Sequence, residues 1–167
     1  MPRHTGWEIE LTAISLETTI VITGRSRRTW WRRIASGEVT RAPSDKRGRT
    51  MVCLADVASR ISAPMVDEDL AYLLRADAGE AEAQNDMGQL FLLAARYEAA
   101  CFWFKRAAEQ GHSDAMQWLA CCYLAGHSVP RDENLALMWL ARAAAHGSTL
   151  AKKQMQSMRV DGLFCSR

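Results

Sequence analysis

Apolar residues fall at helical spacing over most of the chain, and the spacing changes character twice. Between Leu11 and Thr23, Ile14, Val21 and Ile22 lie on one side, and Leu16 and Ile20 pair four apart. A short helix over about Ser15–Ile22 fits, although the density of β-branched residues makes a strand a competitor. Gly24 breaks this segment. Ser26 is placed to cap a second helix running to Ala35, with Trp30 and Ile34 four apart on its inner face and Gly37 suited to the left-handed residue beyond its end. The pattern then turns extended. Glu38–Arg41 and Thr50–Leu54 flank a turn-rich stretch from Ala42 to Arg49, which predicts a hairpin. A last short helix over Ala55–Ile61 is expected to end before Pro64.

From Leu70 the periodicity is helical throughout, with a closing helix to about Met158. Asp67 or Asp69 can cap its first turn. Pro64 marks the expected boundary between a unit of residues 1–63 and one of residues 64–167. The second unit repeats. Gly79, Gly111 and Gly147 keep company with Ala83, Ala115 and Ala151 at fixed offsets, and Trp103 and Trp139 recur with Ala107-Ala108 and Ala143-Ala144. The first spacing is shorter because the loop after Leu124 is longer than its counterpart at Ala94–Arg96. Paired helices at this period predict an α-solenoid. The expected core stripe is Met87, Leu90, Phe91, Phe102, Trp103, Trp118, Leu119, Leu137, Met138, Trp139 and Leu140. The fold expected is therefore mainly α: a small helix-turn-helix head with a hairpin wing, followed by a short α-solenoid.

Charge divides at the same place. The chain has 167 residues and a formal net charge of +2. Residues 1–63 hold eleven Lys/Arg against six Asp/Glu, and residues 64–167 hold ten against thirteen, a split of +5 and −3. Such asymmetry points to two units with different partners. Arg28 and Arg32 share a face of the capped helix, with Arg27 beside them. Met1-Pro2-Arg3-His4 runs into mixed polar sequence without an apolar core, so no secretory leader is expected, and no apolar run is long enough for a membrane span. The cysteines are Cys53, Cys101, Cys121, Cys122 and Cys165, with no C-x-x-C pair, which suits free thiols in a reducing cytoplasm.

The run from Ser26 to Gly37, with its basic hairpin and Leu54-Ala55-Asp56-Val57, resembles the winged helix-turn-helix heads of excisionase-like and MerR-like proteins. That resemblance implies duplex DNA as a partner. The positions it carries over are Arg25, Ser26, Arg27, Arg28, Thr29, Trp31, Arg32 and Arg33 from the helix, and Arg41, Lys46, Arg47 and Arg49 from the wing. Arginine suits guanine edges and phosphates alike, so base and backbone contacts stay undivided at this level. The stretch from Ala107 to Ala115, with Leu119, Tyr123–Gly126, Ala136 and Trp139, resembles the Sel1-like repeat of the tetratricopeptide class. That resemblance implies a face for protein partners and no catalysis.

No phosphate loop, Ser-His-Asp set or H-E-x-x-H is present, and His112 and His146 fall at inter-repeat turns, where capping is the plainer role. Neither an enzyme, a cofactor nor a metal site is expected. The leading expectation is a cytoplasmic, nucleoid-associated, bacterial-type DNA-binding transcriptional regulator, homodimeric on paired half-sites, whose repeats recruit a protein or dimerise. The alternatives are a protein-interaction adaptor without DNA binding, or a phage or mobile-element accessory protein.

Overall fold

The computed structural model describes residues 12–160, with side chains to residue 157. The readings placed on Leu11, the leader and Cys165 lie outside these residues. The chain forms two compact units that divide after Asp77.

In the first unit, strand β1 (Ala13–Ser15) leads into helices α1 (Leu16–Thr23) and α2 (Arg27–Ala35). Strands β2 (Arg41–Ala42) and β3 (Met51–Cys53) follow, then helices α3 (Leu54–Ala58) and α4 (Asp67–Ala78). The strands form an antiparallel sheet in the order β1-β3-β2. Its register sets Ile14 opposite Val52, both fully buried. The β-branched density before Thr23 thus divides between the two readings, strand as far as Ser15 and helix after it. The hinge is Ser15, whose hydroxyl accepts from Thr18 N at 3.2 Å and caps α1.

Gly24, at φ 61°, ends α1 in the left-handed region, and Ser26 caps α2 by accepting from Thr29 N at 3.2 Å. Trp30 is fully buried between the two helices, its indole N–H donating to Thr23 Oγ1 at 3.1 Å. Ile34 is only half-buried. The α3 helix stops at Ala58, short of the Ile61 expected, because Ser62 turns back to α1: its amide and its hydroxyl both donate to the Ile22 carbonyl, each at 2.8 Å.

The boundary lies beyond Pro64 for a specific reason. Asp77, near the end of α4, is 4% exposed and belongs to the head. Its carboxylate accepts from Ser15 N at 3.2 Å, from the hydroxyls of Ser15 and Thr18, and from Arg49 Nη1 at 3.1 Å. A carboxylate carried into the interior has to be held in this way, by donors and a cation together.

The second unit is helical throughout its described residues: α5 (Ala81–Leu93), α6 (Tyr97–Glu109), α7 (Ser113–Ala125), α8 (Glu133–Ala145) and α9 (Thr149–Val160). Consecutive helices pack in pairs, and α5 also touches α7. The turn glycines Gly79, Gly111 and Gly147 all have φ between 92° and 107°, where a side chain would be strained. Ala83, Ala115 and Ala151, at equal offsets beyond them, are each fully buried. The loop between α5 and α6 spans residues 94–96 and that between α7 and α8 spans 126–132, so the insertion lies where the spacing put it. The longer loop is clamped. The His127 ring stacks on Tyr97 at 4.0 Å, and the His127 carbonyl accepts from Cys101 Sγ at 3.2 Å.

The core stripe needs two corrections and one addition. Trp118 and Met138 are each 37% exposed, and Phe104 is fully buried. Gly88 explains Phe104: a Cβ at this glycine would lie 2.5 Å from the Phe104 ring. The second repeat has Ala120 and Leu140 at the corresponding places, so one repeat pairs no side chain with a ring and the other a methyl with an isobutyl group. Gly88→Ala is therefore expected to destabilise by about 1–3 kcal/mol despite the better helix propensity of alanine. Adding Phe104→Leu should recover part of the loss in a guanidinium melt. A melt unchanged by Gly88→Ala alone would contradict the packing argument.

Candidate interaction surfaces

The head turns one side of α2 outward. Arg27, Arg28, Trp31, Arg32 and Ala35 are exposed, with Arg25 just before the helix, whereas Trp30, Arg33 and Ile34 turn inward. The outward set follows helical spacing and carries arginines without an acid in the first turn. Trp31 is 39% exposed and lies under the Arg41 guanidinium, 5.9 Å from the ring centroid, which joins α2 to β2.

The hairpin tip is built by Asp45. Its backbone carbonyl accepts from Gly48 N at 2.9 Å, and its side chain accepts from Arg47 N at 3.0 Å, Arg49 N at 2.9 Å and Arg49 Nε at 2.7 Å. These bonds, led by the Arg49 amide and then the Arg49 side chain, hold the Asp45 carboxyl below its usual range. Burial pulls Arg49 the other way, toward losing its proton, and the carboxylates of Asp45 and Asp77 more than offset it.

The expected contact residues thus separate. Arg33 lies 5.3 Å over the Trp30 ring with Nε 3.6 Å from Glu38, and Arg49 is held between Asp45 and Asp77. Both serve the head's own packing rather than its outer face. The hydroxyls of Ser26 and Thr29 lie 3.0 Å apart and are occupied with each other. Arg25, Arg27, Arg28, Arg32, Arg41, Lys46 and Arg47 are exposed. The inward roles of Arg33 and Arg49 left signals in the sequence, the Trp30–Arg33 and Asp45–Arg49 spacings.

In the repeats, the polar bonds mark how neighbouring helices register. His112 caps α7, its Nδ1 accepting from Ala115 N at 3.3 Å, while its Nε2 lies 2.9 Å from Glu82 on α5. Gln110 Nε2 donates to Gln84 Oε1 at 2.7 Å. Large apolar side chains are left outside: Leu93, Leu150, Trp118, Met138 and Leu135 are all exposed. Trp118 was legible as an outer residue, since its repeat equivalents are Asp86 and Gln154. Among the described residues no group of His, Cys, Asp and Glu could hold a metal ion, and no helix is long and apolar enough to cross a membrane.

Comparison with known proteins agrees with this geometry. A model of the Sel1 repeat matches residues 81–112 and 113–148. Chitin synthase regulatory factor 4 of Schizosaccharomyces pombe is 48% identical over 58 residues, and the chain spans only 9% of that protein's length. Those residues are 33% of this chain. A solved Sel1 repeat protein from Oxalobacter formigenes is 29% identical with a TM-score of 0.50, over 58% of this chain and 76% of that one. The structure of c5321, a protective antigen present in uropathogenic Escherichia coli strains displaying an SLR fold, is 31% identical with a TM-score of 0.52, over 59% of this chain and 22% of that one. Residues 81–148 are a tandem pair of Sel1 repeats.

Proposed function

We propose that this chain is a protein-interaction adaptor whose Sel1 repeats hold a partner protein. The observation that carries the reading is the set of large apolar side chains left on the outside of the repeat unit, with Leu93 90% and Leu150 54% exposed. The relative in Schizosaccharomyces pombe, named as a regulatory factor, supports the same class of role. Affinity capture on the immobilised full chain, followed by rebinding of each captured protein in purified form, tests the reading. A stoichiometric complex is expected; the absence of any partner that rebinds would contradict it.

A second reading rests on its own observation. The exposed arginines of α2 follow a capped helix start and a tight turn, and the hairpin with Lys46 and Arg47 at its tip comes next. This supports a winged helix-turn-helix that binds duplex DNA, with Arg28 and Arg32 in or beside the major groove. On that reading the chain is a regulator, paired as a homodimer, that brings the partner of its repeats to DNA. Light scattering of the chain bound to duplex should give two copies per site, and one copy per site would remove the homodimer.

A further inference from the structure

The exposed chemistry of the repeats divides between their helices. The first helices of the two repeats, α5 and α7, contain Glu82, Asp86 and Asp114 and no lysine or arginine. The second helices carry Lys105, Arg106 and Arg142 alongside Glu98, Glu109 and Glu133, and the two arginines lie on their own aromatics: Arg106 is 4.8 Å over Phe102 and Arg142 is 4.9 Å over Trp139. The contact between α5 and α7, fixed by His112 against Glu82, aligns the two first helices side by side. Residues 86 and 118 are then equivalent positions on adjacent helices of one face.

Two of the three acids have a local reason to be there. Glu82 and Asp114 sit in first turns, where the helix dipole favours negative charge. Asp86 lies inside α5 and has no ion pair among the described residues. Trp118 beside it is fixed on one side only. Its ring stacks on Phe104 with centroids 5.9 Å apart and planes 14° apart, and Phe104 is itself wedged against Gly88. The exposed indole, with Asp114 one turn before it on α7 and Asp86 at the equivalent position of α5, attracts an ammonium or guanidinium group through both ring quadrupole and charge. The apolar stem of a lysine or arginine suits the indole surface as well.

We infer that the face of α5 and α7 centred on Trp118 binds a lysine- or arginine-bearing segment of the partner protein. This rests on the adaptor reading and adds the chemistry of the partner. The test uses the full chain and two fluorescent peptides, one of lysine and leucine and its glutamate-and-leucine counterpart, read by anisotropy at low and moderate salt. The lysine peptide should bind, weaken with salt, and lose about tenfold in affinity in Trp118→Ala and again in Asp86→Lys. Asp86→Asn, which keeps the size of the side chain, should give a smaller loss in the same direction, and helical content is checked for each variant. Lysine-peptide binding unchanged in all three variants would overturn the inference. Glutamate-peptide binding that Trp118→Ala abolishes would overturn the chemistry while leaving the adaptor reading in place. Failure of both peptides to bind would overturn the inference, and partner capture then decides the adaptor reading separately.

Discussion

Asp77→Ala is expected to lower the stability of the head by about 3–5 kcal/mol, the cost typical of removing one partner from a buried, hydrogen-bonded charge network. The loss is large because one carboxylate serves three parts of the head at once. Ser15 belongs to the junction of β1 and α1, Thr18 to the first turn of α1, and Arg49 to the strand-side of the hairpin. Without Asp77 the two hydroxyls and the Ser15 amide lose their acceptor, and Arg49 keeps only Asp45 and the backbone carbonyl of residue 77. Asp77→Asn keeps an acceptor oxygen and should cost less. The readout is the indole resonance of Trp30, tied to Thr23 inside the head. In Asp77→Ala it should leave its native position at a denaturant concentration that the repeats still withstand. A melt of Asp77→Ala indistinguishable from the parent would show that the network contributes nothing.

Arg28→Ala/Arg32→Ala should lower the slope of duplex affinity against salt by about two units, one for each phosphate no longer neutralised, and weaken binding to unrelated sequences alike. Fluorescence anisotropy with a random-sequence duplex at two salt concentrations measures it. Both residues are exposed on the outer side of α2, so the fold should survive the change. Arg33→Ala serves as the contrast. It removes a cation lying on Trp30 and paired with Glu38, and should reduce stability while leaving the salt slope unchanged. A double variant that binds duplex as well as the parent would place the DNA-facing surface elsewhere or remove DNA from the account.

The repeats were the most legible part of the chain, because their signal is redundant. The glycine that must take positive φ and the alanine that must be buried recur at matching offsets, so each copy checks the other. The head offers no such check. Its first strand is three residues long and owes its existence to β3, some forty residues away, so local periodicity alone leaves strand and helix in competition. Asp77 shows the same limit more sharply. In sequence it is one acid near the end of a helix; its partners lie 28, 59 and 62 residues earlier. The arginines were legible as a basic group but not as individuals. Which of them faces outward depends on the ring of Trp30 and on the hairpin turn closed by Asp45. Residue type alone places Trp118 in the core, although Asp86 and Gln154, at its repeat-equivalent positions, are polar.

The most direct test of the central claim is hydrogen exchange of the full chain with and without its captured partner. The account predicts that the partner protects amides of α5 and α7 while leaving those of residues 12–76 at their free rates. Protection confined to the head, with the repeats exchanging as in the free chain, would contradict it.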